Sequence, residues 1–460
     1  MNGGSTERIW AWLGWLLLLL FVASWPIRYA QQAAFGQVVF FTGILRVILF
    51  VAVLAWAAVT ASRETSREQL RLVALGYGLV TLLTYSLMVV DFGAFYTGFA
   101  FNFFVVPPAL ALIMLVNARY FPAPDDAQEQ RIIGILLTMA VPIALFGILQ
   151  FALNDPILRS GFEGGPRNEF GGAGQAMIRL TELAATHRIR ANSIFGSALE
   201  FGHFAALFAI LCLALAFRSR GRRWSAFAYA LLAVLFVAAV VSTNTRNLLL
   251  YLGCCGIGFL LIRAGLSVRA LVATALTLVG VFYATIYAVV ALAPGFFAGF
   301  LDSISLLQRA RGVYVTVNQF IVNADTLTHV LFGYGYMQSA DFTFLPTTIF
   351  DNSELDVYLY AGVCGVVLYL ALLLVLFTFA VRQWRRTGRV AWLTAGSLLF
   401  GTPLFSTLNI DLDQPFFVFV FALVAGGAAF PEDASLSPRE SALDGEYTGT
   451  GPFPHAAILD

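Results

Sequence analysis

About twelve apolar runs, each long enough to cross a hydrocarbon core of roughly 30 Å at about 1.5 Å per residue, recur along this chain. They fall at 10–26, 38–61, 70–90, 99–118, 131–152, 193–217, 225–242, 247–263, 268–293, 354–381, 390–408 and 415–430. Inside lipid every backbone N–H and C=O must be satisfied within the chain, and runs of this length and apolarity do so as α-helices. Hydrophobic residues make up 59% of the 460 and charged residues 12%, with a mean hydropathy of +0.81, which excludes an ordinary soluble globular fold. The expected fold class is therefore an all-α polytopic membrane protein. Residues 1–430 form a single transmembrane domain, and 431–460, rich in Pro, Gly, Ser and acidic residues, form a disordered tail.

Arginine placement gives the orientation. Alternate connections carry Arg63, Arg67 and Arg71; Arg119 and Arg131; Arg218, Arg220, Arg222 and Arg223; Arg263 and Arg269; and Arg382, Arg385, Arg386 and Arg389. The short connections on the other side hold only Arg28 and Arg246. By the positive-inside rule the Arg-rich side and both termini are cytoplasmic. The two long loops, about 153–192 and 294–353, then lie on the outer face. The first is rich in Gly and includes Arg159, Arg167, Arg179, Arg188 and Arg190, which long loops carry across regardless of charge.

Other features narrow the chemistry. Cys212, Cys254, Cys255 and Cys364 all lie inside apolar runs without metal-ligand spacing, so they are expected to be small buried hydrophobes. The sole Asp-x-Asp pair, Asp411 and Asp413, occupies a very short connection and is expected to be a turn. No metal and no cofactor are expected. A net charge of +1 argues neither for nor against nucleic acid, and nothing else favours that partner. Arg8 followed by Trp10 to Phe21 could open a signal peptide, but its poor basic region and flanking Trp residues favour a retained first helix. Arg46, midway through the second run, is expected to pair with a carboxylate or snorkel to the interface. No internal repeat of the kind that relates transporter halves is found.

The stretch from Pro294 to Gly365 is the longest with too little hydrophobicity to sit in lipid. From Ser303 to Ile321 its residues predict an amphipathic helix, with Leu306, Leu307, Ala310, Val313, Tyr314, Val317, Phe320 and Ile321 on one stripe. Arg311 and Asn318 share one edge of that stripe and Arg309 takes the other. These arginines either anchor an interfacial helix or meet an anionic headgroup. Arg246, in the turn Ser242 to Asn247, and the pair Arg188 and Arg190 add guanidinium groups on the same face. Arginine suits bidentate contact with phosphate.

Glu200 and His203, three residues apart in the sixth run, share a helix face. Ionisable groups in a membrane helix face a partner or a wet cavity, so a catalytic base and polar packing both remain open. Asp351-Asn352-Ser353-Glu354 has the spacing of a capping box, with Asp351 at the N-cap and Glu354 at the third helical position. Asp356 and Tyr358 follow, and three carboxylates exceed what a cap requires. A carboxylate opposite arginines could serve as general base toward a sugar hydroxyl.

At these residues the chain resembles the bacterial O-antigen polymerase and ligase superfamily. The resemblance rests on Arg190 to Gly196, Ser242 to Arg246, Arg311 with Tyr314, Gly333 with Gly335, and Asp351-Asn352 ahead of Gly362 and Gly365. It covers about residues 185–385. Ligases of this group typically carry His before that Asn, whereas this chain has Asp351, and His329 does not match the position. That departure favours a Wzy-type polymerase over a WaaL-type ligase.

The resemblance implies a glycosyltransferase C-like fold and a metal-independent inverting glycosyltransferase in the bacterial inner membrane, its site facing the periplasm. Its donor would be a polyprenyl-diphosphate-linked glycan, with membrane lipid and a chain-length regulator as further partners. Arg190, Arg246 and Arg311 would hold the diphosphate, and Asp351 or Glu354 would orient or deprotonate the acceptor. Arg188, Arg309, Asn318, Asn352, Glu200, His203 and Tyr314 would line the substrate. The rivals are a ligase passing the glycan to lipid A core or protein, and a lipid or polysaccharide transporter or flippase, for which polar groups and broken helices belong at the bilayer midplane.

Overall fold

The computed structural model describes residues 126–154, 190–191, 193–195, 198–219, 221–292, 326–333, 353–406 and 414–427. The four expected spans before residue 120, the amphipathic stretch, the tail and most of both long loops lie outside the described residues. Those described hold helices α1 (Asp126–Leu153), α2 (Ala198–Arg218), α3 (Arg223–Ser242), α4 (Arg246–Arg263), α5 (Val268–Leu292), α6 (Leu327–Phe332), α7 (Ser353–Thr387), α8 (Val390–Ser406) and α9 (Gln414–Gly426), and no strand. Five of them, α1, α2, α3, α5 and α7, contain stretches long and apolar enough to cross a membrane. Within these residues the protein is a helical bundle of membrane-protein character.

Most boundaries match the apolar runs closely, and the departures have local causes. Helix α2 starts at Ala198 rather than 193, because the segment ahead of it is bonded to neighbouring helices. Helix α9 stops at Gly426, where Gly427 turns to φ +60° and its N–H bonds to the Leu423 carbonyl. Helix α7 runs on past its apolar run to Thr387. That helix is also not continuous: Gly362 adopts φ +63°, ψ −163°, breaking it near its start.

Helix α8 is the hub, packing against α2, α4, α5, α7 and α9. From Val390 to Gly401 every residue is buried, so its polar side chains have no water to turn to. Thr394, Ser397 and Thr402 donate instead to the carbonyls of Val390, Leu393 and Leu398 one turn back. Trp392 donates Nε1–H to the Gly427 carbonyl at 2.7 Å, pinning α9 against it. Helix α4 reaches α8 through small residues. A Cβ at Gly258 would lie 2.7 Å from Phe400, and one at Gly401 2.7 Å from the Cys255 sulfur. Lipid tails are as apolar as leucine, so burial from water gives no drive between helices, and close contact of this kind supplies the cohesion.

The periphery is apolar too. Trp224, Phe227, Leu231 and Val234 on α3, and Leu276 and Val281 on α5, are exposed, as befits surfaces that meet lipid or other apolar segments. Cys212, Cys254 and Cys255 are buried free thiols, and Cys364 is half-buried.

Hydrogen bonds sort the helix ends into two sets. At one end Arg218, closing α2, meets Glu129 near the start of α1 at 2.9 Å. There too Arg385 of α7 donates to the Leu266 carbonyl, and Arg389 to that of Gly426. Arginines from two separate connections thus tie the ends of α1, α2, α4, α7 and α9 together at one end of the bundle. The opposite end holds the close of α1 and α3 and the start of α2 and α4.

Candidate functional site

At this opposite end the segment leading into α2 is held from two sides. Gln150, 1% exposed near the end of α1, accepts from the Ser193 N–H at 2.9 Å and donates to the Ser193 carbonyl at 3.3 Å. The Ser193 hydroxyl donates to the Ile143 carbonyl at 2.7 Å. On the other side the Ala191 N–H donates to the Ser242 carbonyl at 3.1 Å. Arg190 directly precedes this pinned stretch and is exposed.

The turn from Ser242 to Thr245 is built from its own hydroxyls. Ser242 and Thr243 donate back to the carbonyls of Ala239 and Val240, each at 2.7 Å, and Asn244 takes the left-handed conformation at φ +50°. Thr245 stands extended at the N-cap of α4, but its hydroxyl donates to the Thr243 carbonyl. Helix α4 therefore begins, at Arg246, without a side-chain cap. Uncapped N–H groups and the positive end of a helix dipole favour an anion there. The Ala191 to Ser242 bond brings the chain at Arg190 beside this turn.

Glu200 lies half-buried in the first turn of α2, where a carboxylate suits the dipole. His203, one turn deeper, is 4% exposed and stacks edge-on against Tyr251 (centroids 5.3 Å apart, planes at 82°) and Phe405 (4.7 Å, 86°). Tyr251 donates its hydroxyl to the Leu398 carbonyl at 3.4 Å. The ring of His203 thus sits in an aromatic cluster shared by α2, α4 and α8, although its spacing to Glu200 suggested a shared polar face.

Helix α7 carries Glu354, expected from the sequence to meet the acceptor. Its first helical residue is Ser353, and the expected N-cap Asp351 lies outside the described residues. Glu354 belongs to the first turn. Helix α6 docks on the break in α7: a Cβ at Gly362 would lie 2.4 Å from the carbonyl carbon and oxygen of Leu331 and 2.5 Å from the Phe332 nitrogen. Thr326 caps α6 by accepting from the His329 N–H at 3.3 Å, and Gly333 ends it at φ +81°. The end of α6 just ahead of Gly333 is therefore packed on Gly362. Arg188, Arg309, Arg311, Tyr314, Asn318, Asp351 and Asn352 lie outside the described residues.

Sequence inspection missed Gln150 and Ser193. Gln150 was an isolated amide within an apolar run, and the signal that could have singled it out is the cost of a primary amide in lipid. Among the described residues no three His, Cys, Asp or Glu side chains cluster as a metal site. No known family model matches the chain, and no curated protein matches its sequence.

Proposed function

We propose that this protein polymerises polyprenyl-diphosphate-linked oligosaccharide repeat units, for O-antigen, capsule or exopolysaccharide, at the outer leaflet of the bacterial inner membrane. It acts as a metal-independent inverting glycosyltransferase. The bond between the anomeric carbon and the donor diphosphate breaks as a hydroxyl at the non-reducing end of a second lipid-linked repeat attacks. Its proton passes to Asp351 or Glu354, and the growing charge on the leaving diphosphate is met by Arg190, Arg246 and Arg311.

The observation that carries this proposal is the bond from Ala191 to Ser242, which joins the chain at Arg190 to the turn that delivers Arg246. Two arginine-bearing segments distant in sequence meet at an end of the bundle that, among the described residues, is otherwise poor in arginine. The uncapped start of α4 adds anion-favouring electrostatics at the same place. A transporter predicts broken helices at the midplane. The break at Gly362 instead lies about 30 Å of helix away from Arg382, at roughly 1.5 Å per residue, and so near the far interface.

The test is to incubate the purified protein with one defined lipid-linked repeat and resolve the products by size. A ladder of oligomers is expected, strongly shortened in both Arg190→Ala and Arg246→Ala while membrane insertion stays normal. A single transfer to lipid A core with no ladder would instead identify a ligase. Unchanged product length in both variants would overturn the assignment.

A further inference from the structure

A primary amide buried at the end of a membrane helix is costly unless both its donor and acceptor are used. Gln150 uses both on one residue: its Oε1 takes the Ser193 N–H and its Nε2 gives to the Ser193 carbonyl, as a neighbouring strand would. Ser193 itself is 3% exposed and left-handed at φ +51°, so few partners could reach its backbone. Its hydroxyl is bonded to Ile143, two turns before Gln150 on α1. With Ala191 fixed to Ser242 on the other flank, the backbone directly after Arg190 is fastened to both α1 and α3. Arg190, directly ahead of that fastening point, is exposed.

We infer that Gln150 is a positioning residue for Arg190: its amide clamp on Ser193 sets where the Arg190 guanidinium can meet a diphosphate, an inference that rests on the proposed role of Arg190. Other side chains at 150 fail for different reasons. Glutamate can accept from Ser193 N–H but, when ionised, cannot donate to its carbonyl; asparagine is one methylene too short; methionine fills the space and leaves both backbone groups unpaired.

Two measurements test the clamp. In turnover of a lipid-linked repeat, Gln150→Met and Arg190→Ala should each lower kcat/KM by about tenfold to a hundredfold, the scale of a misplaced contact. The double variant should be no worse than Arg190→Ala alone, because the amide acts through the arginine. Losses that simply add would overturn the inference. Ser193→Gly, which keeps the N–H, the carbonyl and the left-handed backbone, should retain most turnover, whereas Gln150→Asn should not.

The second measurement is independent of activity. A nitroxide attached at Arg190→Cys, with the four native cysteines replaced, should give a restrained spectrum that sharpens when Gln150→Met or Gln150→Asn is added. Identical spectra would refute the clamp. A sharpened spectrum in a protein whose turnover is indifferent to Arg190→Ala would leave the clamp standing and remove the proposed function instead.

Discussion

Glu129 is fully buried, and its two oxygens serve two elements: Oε2 meets Arg218 at 2.9 Å and Oε1 accepts from the Ala391 N–H at 3.5 Å. Arg218 by contrast keeps 35% of its side chain exposed. The two halves of the pair are therefore unequal. Arg218→Met strands a buried carboxylate, at a cost of about 3–5 kcal/mol, whereas Glu129→Gln leaves a guanidinium that can still reach water, at about 1–3 kcal/mol. Thermal unfolding in detergent should show the larger drop for Arg218→Met, with part of it restored in the double variant. Equal drops would mean the pair is wet and contributes little. None of this was legible in sequence, where Arg218 marked only orientation. Hydropathy locates a charge relative to the bilayer but says nothing about its partner from another helix. Gln150 was overlooked for the same reason.

At the scale of elements, the apolar runs located α1 to α5 and α7 to α9 because helix existence depends on local, additive properties. The break in α7 escaped, since a single glycine within an apolar run carries no periodicity signal and becomes a break only when α6 occupies the space. A substitution at Gly362 meets two penalties. Any L side chain at φ +63°, ψ −163° is strained by about 1–3 kcal/mol, and its Cβ meets backbone atoms of Leu331 and Phe332 that have no rotamer to yield. Gly362→Ala should lower the melting temperature by several degrees, at roughly 4 °C or less per kcal/mol for a chain of this size. Gly256→Ala on α4, where a Cβ would have nothing within 4 Å, should lower it not at all. Matching melting temperatures for the two variants would show that α6 does not dock on the break. Gly362 was thus visible as a residue, while the docking of α6 upon it was not.

On the scale of the molecule, two independent lines bear on how the bundle sits in the membrane. Arginine counting assigns Arg218, Arg222, Arg263, Arg385 and Arg389 to one side from sequence alone. Hydrogen bonds from Arg218 to Glu129, Arg385 to Leu266 and Arg389 to Gly426 gather the same ends without reference to any membrane. The far end, with Asn244 exposed in its turn, must face the exported substrate if the proposed chemistry is correct. Cysteines introduced singly at Gly221 and Asn244, in chains whose native cysteines are replaced, decide the matter on intact cells. Gly221 is exposed and has open space around a new Cβ, so neither site is blocked by packing. A membrane-impermeant maleimide should label Asn244→Cys readily and Gly221→Cys only after the membrane that holds the protein is opened. The reverse pattern would put the arginine-rich end outside. Arg190 and Arg246 would then face the cytoplasm, where no exported lipid-linked glycan could reach them.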